Sequence, residues 1–475
     1  MSYITGLGGT PGPGWFTDNN GKAKLWVATE TWGLPVNAGQ WNGTGGGTVD
    51  QDYDNFFSQR AAQGFTVCMT DATWCPTGDG AHSGLTWDGL TPLTGGTTNP
   101  TSATLNSSFW TRIDYMMSSA ASNGITIGLT IANTGDDVES GYWQNTWTAT
   151  QWTDYATLVG TRYKSTANLI WLVGNDAFSP SSDTIFNAVQ SGLAAAGATQ
   201  LISAWYNAEC TSRYTTAANG STTTEDWGIS NAAFNFVYTY NAGYFMTEFA
   251  YGEVVNQGAA NLLPVTWGDG YFYTGSSGSG YYAPQDRAMR QEWWWTLASG
   301  SRGVLGEAEN VYPWSADTCP GAVTGDWFFA NNAPNIVTAV EGLTGWQYLL
   351  PDLSSALVTA GRGTRVSGFN SGGGGGQYEA AYTNSYVAAS KTPNGKLALL
   401  YLPNSTTITV TQSLLTPGYT ATWIDPISGA TSAATPGSTY NSTAKGNNSQ
   451  GDPDWALAFQ APGATSGPPV YGFRS

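Results

Sequence analysis

Over the first 330 or so residues, short apolar runs alternate with segments of helical pattern. The runs are KLWVATETW (24–32), FTVCMTDATW (65–74), ITIGLTIAN (125–133), LIWLVGND (169–176), LISAWYNAE (201–209), FNFVYTY (234–240), YFMTEFAYG (244–252) and GVLGEAEN (303–310). Most are apolar on both faces, as expected of parallel strands covered by helices. Between them, residues 53–63, 109–122, 152–163, 184–196 and 284–299 carry apolar side chains at helical spacing. In the second of these, Phe109, Ile113, Met116, Met117 and Ala120 make one stripe. Gly64, Gly124 and Gly197 follow three of the five, in the position of C-terminal caps. Strand and helix in repeated alternation predict βα units and a parallel sheet. Eight runs within residues 24–310 fit a closed (β/α)8 TIM barrel. No Gly-rich phosphate loop follows the first run, which argues against a dinucleotide fold.

One unit breaks the rhythm. The sixth and seventh runs are separated only by residues 241–243, too few for a parallel crossover. Either the sixth helix is missing, or the true sixth strand lies earlier, within 211–232. After Trp346 the pattern changes to YVAAS (386–390), KLALLYLP (396–403), TTITVTQSL (406–414), YTATWIDP (419–426) and WALAFQAP (455–462), with the hairpin signal Asn394-Gly395 between the first two. These runs predict a C-terminal antiparallel β-sandwich. The expected division is a barrel over 1–348 and a sandwich over 349–475, with SGGGGGQ (371–377) as a loop within the second.

Composition narrows the partners. The 475 residues carry 16 Lys+Arg against 33 Asp+Glu, a net charge of −17, and only 10% are charged. Phosphate contacts need cations, so this balance excludes nucleic acid as the expected partner. No stretch approaches the ~18 uninterrupted apolar residues of a membrane span. The opening MSYITGLGGTPGPGWF lacks the basic and apolar regions of a signal peptide, although the Thr, Asn, Gly and Trp bias suits an extracellular protein. A single histidine, His82, rules out any mechanism that needs a pair of histidines, and with it most Ser-His and Cys-His chemistry and His-rich metal sites. The four cysteines have no metal-ligand spacing, Cys68 reads as a buried thiol, and no cofactor is called for. The 22 Trp and 25 Tyr point instead to sugar rings, on which flat aromatic faces stack.

In such a barrel the active site lies at the C-terminal ends of the strands. On this reading those ends carry Glu30 and Trp32, Asp71 and Trp74, Asn133, Asn175 and Asp176, Tyr206, Tyr238, Glu248 and Glu307, with Trp314 beyond the last. Carboxylates, amides and rings with scarcely a cation suit a neutral polyhydroxylated substrate. Glycoside hydrolysis needs two carboxyl groups flanking the scissile bond. Asp176 at the end of the fourth run and Glu248 in the seventh are the expected pair, because those runs face each other across a barrel mouth. Glu30, Trp32, Asp71, Trp74, Asn133, Asn175, Tyr206, Tyr238, Glu307 and Trp314 are the expected substrate contacts.

The ordered set of motifs resembles the apiosidase-like glycoside hydrolases, a (β/α)8 barrel followed by a small β-sandwich. Glu30-Thr31-Trp32 stands where the family has Asp-Thr-x-Trp. Gln63-Gly64-Phe65 matches the entry to the second strand, and Trp171-Leu172-Val173-Gly174-Asn175-Asp176 matches Trp-Leu-x-Gly-Gly-Asp. Glu248-Phe249-Ala250-Tyr251-Gly252-Glu253 echoes Glu-Pro-x-Tyr-Glu, Met289-Arg290-Gln291 resembles Met-Arg-Arg, and Trp346 to Asp352 resembles the Trp-to-Pro-Asp segment. The resemblance implies Asp176 as acid/base, Glu248 as nucleophile and a retaining glycosidase acting on furanosides such as arabinan or apiose-containing glycans. Similar barrels in phage tail proteins would place the chain on a virion or outside the cell. A non-catalytic glycan-binding protein on the same scaffold is the alternative expectation.

Overall fold

A computed structural model of the chain describes residues 1–9, 14–39, 48–73, 84–96, 99–134, 146–175, 182–206, 229, 231–239, 242–256, 263–269, 272–273, 283–308, 311, 314, 327–365 and 384–462. The side chains of 253–256, 272–273, 283–285, 307–308 and 327 are outside that description. Eight parallel strands form the N-terminal part: β1 (Trp26–Glu30), β2 (Val67–Asp71), β3 (Thr126–Thr130), β4 (Leu169–Leu172), β5 (Ile202–Ser203), β6 (Asn235–Val237), β7 (Val265–Trp267) and β8 (Gly303–Leu305). Six of them pair in the order β8-β1-β2-β3-β4-β5, and β6 pairs with β7. Single backbone bonds join the two groups. Ala233 N–H donates to Ile202 O at 2.8 Å, and Arg302 N–H donates to Val265 O at 2.7 Å. The sheet therefore closes on itself as a barrel.

The helices on its outside are α1 (Val49–Ala62), α2 (Ser107–Ser122), α3 (Ala149–Tyr163), α4 (Asp183–Ala196), α5 (Tyr244–Asn256), α6 (Ala283–Ala298) and α7 (Ala333–Glu341). Thr48 and Thr148 open α1 and α3 with capping boxes closed by Gln51 and Gln151, which satisfy the first orphan N–H groups of each helix. Gly197 ends α4 in the left-handed region at φ 75°, where a Cβ is penalised. Cys68 is a buried free thiol on β2, and burial pushes it well above its ordinary pKa.

Two expectations are corrected here. The run 244–252 is not a strand: it is the larger part of α5, the helix that carries the chain from β6 to the real β7 at Val265–Trp267. The sixth strand is Asn235–Val237, within the run 234–240, and the sixth helix, read as missing, is α5 itself. The misreading has a physical cause. From Tyr244 to Ala250 every residue except Phe249 is buried, because α5 lies between the barrel and the C-terminal part. A helix buried all round has no polar face and hence no helical period. Its Tyr, Phe, Met and Thr content also favours a strand reading.

The C-terminal part is an antiparallel sandwich. One sheet runs in the order Leu350–Pro351, Ala388–Lys391, Leu397–Leu402, Trp455–Gln460, Thr420–Ile424 and Thr431–Ala434. The other contains Val358–Ala360, Thr407–Val410 and Thr439–Asn441. A hydrophobic cluster including Leu400, Trp423, Leu457 and Phe459 fills the space between them. The Asn394-Gly395 signal does mark a hairpin, with Gly395 at φ 68° and its N–H on Thr392 O at 2.9 Å.

Helix α6 fastens the sandwich to the barrel. Arg290 is fully buried and meets Asp454 through Nε and Nη2, both at 2.9 Å, and Asp452 at 2.7 Å. Trp294 Nε1 donates to Pro426 O and Trp295 Nε1 to Tyr386 O, each at 2.9 Å. Removing one partner of a buried ion pair leaves the other charge uncompensated. Arg290→Ala is expected to lower unfolding stability by about 3–5 kcal/mol in urea titration, whereas Arg112→Ala, whose pair with Asp88 lies at the surface, should cost about 0–1 kcal/mol.

A second helix-to-helix contact predicts a pH effect. Glu292 on α6 is fully buried and accepts the Gly243 N–H at the start of α5 at 3.1 Å. Burial drives its carboxyl well above the ordinary 4.5. The folded state therefore keeps a proton that the unfolded chain releases, so its contribution is complete below about pH 4.5 and is lost as pH rises toward the folded pKa. Glu292→Gln removes that titration. Its stability relative to wild type should rise with pH above 4.5, by at most about 1.4 kcal/mol per pH unit in paired urea melts. Parallel pH profiles for the two proteins would contradict it.

Candidate active site

The strand ends converge at one mouth. β1 ends at Glu30, whose Oε2 accepts the Trp32 indole N–H at 3.3 Å. Thr31 N–H, one residue on, donates to Met69 O on β2 at 3.0 Å, which keeps the start of this loop in register with its neighbour. β2 ends at Asp71, whose Oδ1 accepts both N–H and Oγ1–H of Thr73, at 2.7 and 3.1 Å. Asn133, just past β3, is 1% exposed, and neither atom of its amide has a hydrogen-bond partner among the described residues. A buried amide in that state costs free energy unless something pairs with it.

Asn175, past β4, is a brace. Its Oδ1 accepts the Thr134 N–H at 2.9 Å, and the Thr134 hydroxyl accepts the Asn175 N–H at 3.2 Å. The ends of β3 and β4 are thereby locked together one residue before Asp176. Tyr206, past β5, donates its hydroxyl to Asp183 Oδ1 at the start of α4 at 3.1 Å and packs on Phe186. Ser182, the residue before α4, makes no side-chain capping bond.

An aromatic floor crosses the mouth. Trp32 from the β1 side and Trp205 from the β5 side are tilted against each other with centroids 5.3 Å apart. β1 and β5 stand opposite in an eight-stranded ring, so this contact bridges the barrel from side to side. Tyr238, past β6, meets Trp205 edge-on at 6.0 Å. Trp205 was overlooked in the sequence beside Tyr206, although its Nε1 is buried without a partner. Trp314 is buried, holds a left-handed backbone at φ 45°, and packs edge-on against Phe56 of α1 at 5.4 Å. The Glu307 backbone pairs with Phe272 in a short parallel ladder above β7 and β8, and its side chain is outside the described residues. Asp176 and Trp74 also lie outside the described residues.

Glu248 is not at a strand end. It sits in the second turn of α5, 2% exposed, and faces the sandwich. Tyr386 Oη donates to its Oε1 at 2.9 Å, Arg365 Nε donates to Oε2 at 2.8 Å, and Arg362 Nη2 lies 3.7 Å from Oε1. Burial pushes the carboxyl up, and the two guanidiniums and the phenol pull it back. The expectation that Glu248 ends the seventh strand is therefore corrected, for the reason given above for α5.

The real β7 ends in Gly268-Asp269. Gly268 N–H donates to Val237 O of β6 at 2.9 Å, and a Cβ on Gly268 would lie 2.1 Å from the Phe236 ring. Only glycine fits this approach. It leaves Asp269, 7% exposed, as the carboxylate at the C-terminal end of β7. The signal was present in PVTWGD (264–269): a short apolar run closed by Gly and an acid. It was masked by the longer apolar run of α5. Among the described residues no group of three or more His, Cys, Asp or Glu could hold a metal ion, and no helix is long and apolar enough to cross a membrane.

The sequence model of the Apiosidase-like catalytic domain matches residues 14–339. The chain belongs to the Apiosidase-like family. Its fold agrees with that assignment. A solved glycoside hydrolase superposes with a TM-score of 0.69 at 15% identity, covering 98% of both chains. A glycoside hydrolase family 5 structure from Bacteroides vulgatus ATCC 8482 gives the same TM-score and identity, covering 97% of this chain and 95% of that one. At such identities these likenesses establish the barrel with its sandwich, and the glycosidase class rests on the family. No functionally curated protein matches the chain. The Apiosidase-like match takes in β1 to β8 and ends within α7, so the aromatic floor and both strand-end carboxylate positions fall inside it.

The floor gives a direct prediction. Trp205→Ala removes the ring that meets Trp32 and Tyr238 and should lower kcat/KM on the cleaved glycan by at least ten-fold. Trp423→Ala, in the sandwich, should leave kcat/KM within two-fold. Steady-state assays on folded variants check this, and equal effects of the two would refute the floor's role.

Proposed function

We propose that the protein is a retaining glycoside hydrolase that cleaves furanosidic linkages of the arabinan or apiose type in a cell-wall or plant polysaccharide outside the cell. The observation that carries this reading is the pair of strand ends at β4 and β7, Asn175-Asp176 and Gly268-Asp269, within an Apiosidase-like barrel with an aromatic floor. Asp176 takes the role of acid/base and protonates the leaving oxygen, then draws a proton from water. Asp269 replaces Glu248 as the attacking carboxylate, because it stands at the end of β7, whereas both oxygens of Glu248 are engaged by Tyr386 and Arg365. Retention requires the two carboxyl groups about 5–5.5 Å apart, whereas about 6.5–9.5 Å would mean inversion.

Asn133 and the Trp32–Trp205 floor supply the substrate contacts of this reading, one through an unpaired amide and the other through apolar ring faces. Glu30 and Asp71 line the same rim and support Trp32 and Thr73. Furanosides are favoured by the family to which the chain belongs.

The test is product analysis after incubation with arabinan, arabinogalactan, apiose-containing pectin and mannan. Wild type should release reducing sugar from a furanoside. Asp176→Asn and Asp269→Asn should each lose about 10²–10⁴-fold in kcat, the scale of a lost catalytic acid or base. Glu248→Gln should retain kcat within a few-fold and lose stability. Full activity in Asp269→Asn together with its loss in folded Glu248→Gln would return the nucleophile to Glu248. Glycan binding with no released sugar over days would make the chain a non-catalytic binder.

A further inference from the structure

The mouth of the barrel does not account for a second cleft of about 780 Å³ on the outer flank, between α5 and the sandwich. That volume is in the range of small-molecule sites, roughly 300–1,000 Å³. Its walls are amphipathic. Phe249 of α5 and Leu353 of the sandwich contribute apolar surface, and Leu353 is exposed. Arg365 is 42% exposed and spends only Nε on Glu248, so its two terminal nitrogens carry no hydrogen bond among the described residues. Ser355 and Thr359 add hydroxyls.

The charges around this cleft balance. Arg365 and Arg362 face Glu248 and Asp352, with Arg362 Nη1 2.9 Å from Asp352 Oδ2. Two cations against two carboxylates leave no net field to hold an anion. They do leave donors and acceptors in close pairs beside apolar surface. A sugar ring has that same division, with C–H faces and hydroxyl edges. The stack of Arg362 on the Tyr386 ring, 5.1 Å from its centroid, and the Tyr386 bond to Glu248 hold the cluster rigid. Little ordering is then left for a ligand to impose.

We propose that this cleft is an accessory binding site for a neutral sugar unit, separate from the catalytic mouth and read by Arg365. The choice of a sugar rests on the glycosidase reading, but the site's existence does not. A chain held there and in the mouth at once would gain effective concentration at the second site.

The test uses the full chain carrying Asp176→Asn, so that probes survive, and saturation-transfer NMR with arabinotriose, mannotriose and galacturonic acid trimer at millimolar concentration. A neutral trimer should bind. Its affinity should fall at least ten-fold in Arg365→Ala, and again in Thr359→Trp, which fills the cleft from an exposed strand position without touching the charges. Trp205→Ala, in the mouth, should leave this binding component unchanged. Binding that in the Trp205→Ala background survives both cleft variants, binding of the acidic trimer alone, or no binding of any probe overturns the proposal. Persistent hydrolysis by Asp176→Asn would instead count against the catalytic assignment, and the cleft would then be read from the Arg365 and Thr359 variants in the presence of non-hydrolysed thio-linked trimer.

Discussion

A parallel strand can follow its parallel neighbour only after the chain has crossed back along the outside of the sheet. Much of this molecule follows from how that requirement is met between β6 and β7. The crossing is α5, and from Tyr244 to Ala250 every residue but Phe249 is buried, with the barrel on one flank and the sandwich on the other. Any polar group it carries must be paired internally. Glu248 is paired by Tyr386, Arg365 and Arg362, all from the sandwich, and the Gly243 N–H at the helix start is paired by Glu292 of α6. The accessory module is thus part of the barrel's own completion. Without it, α5 would expose a carboxylate and a row of aromatic residues where a barrel helix normally meets water.

The same economy governs the cations. With few positive charges available, the buried arginines are structural. Arg60 lies among the rings of Phe56, Phe65 and Phe329, with its guanidinium carbon 4.9 to 5.7 Å from their centroids. Arg302 bonds the carbonyls of Gly300, Leu349 and Gly14, and ties the start of β8 to the linker and the N-terminal segment. Arg290 meets the sandwich carboxylates. Each keeps two parts of the chain in register, and none stands at a described strand end. At the described strand ends stand carboxylates, amides and rings. That suits proton transfer to a neutral glycoside, because an adjacent guanidinium would hold a catalytic acid deprotonated.

How much of this was legible beforehand depended on whether an element met solvent. α2 and α3 have one wet face, so their stripes and boundaries were readable from Phe109 to Ser122 and from Trp152 to Tyr163. The sandwich hairpin was readable because Asn394-Gly395 meets a demand that few residue pairs meet. The β4 end was readable because five apolar residues run straight into Gly-Asn-Asp. Where tertiary packing covered an element on all sides, the periodic signal vanished, and α5 passed for a strand. That single error carried Glu248 to the mouth and hid Asp269, since a three-residue β7 between Pro264 and Gly268 is too short to compete with a nine-residue apolar run. Trp205 was missed for a different reason: its neighbour Tyr206 offered a hydroxyl, which in the fold is spent on Asp183.

The two acids that sequence order suggested and the two that topology suggests differ in what their surroundings permit. An attacking carboxylate needs an oxygen with an open lone pair directed at an anomeric carbon. Glu248 accepts from Tyr386 on both oxygens and from Arg365 on one, behind a wall of sandwich residues. Nothing sugar-sized could approach it from the mouth without unthreading α5. Asp269 stands at the end of a strand whose glycine exists to let it pass the Phe236 ring. It follows β7 by two residues, while the Asn175–Thr134 bonds tie the ends of β3 and β4 together. The chemistry of such a site depends on holding two strand ends still: the β7 end is held by the Gly268 N–H on Val237 O, and the β4 end by bonds between backbone groups and the short side chains of Asn175 and Thr134. That is the rigid kind of support a reaction needing sub-ångström placement calls for.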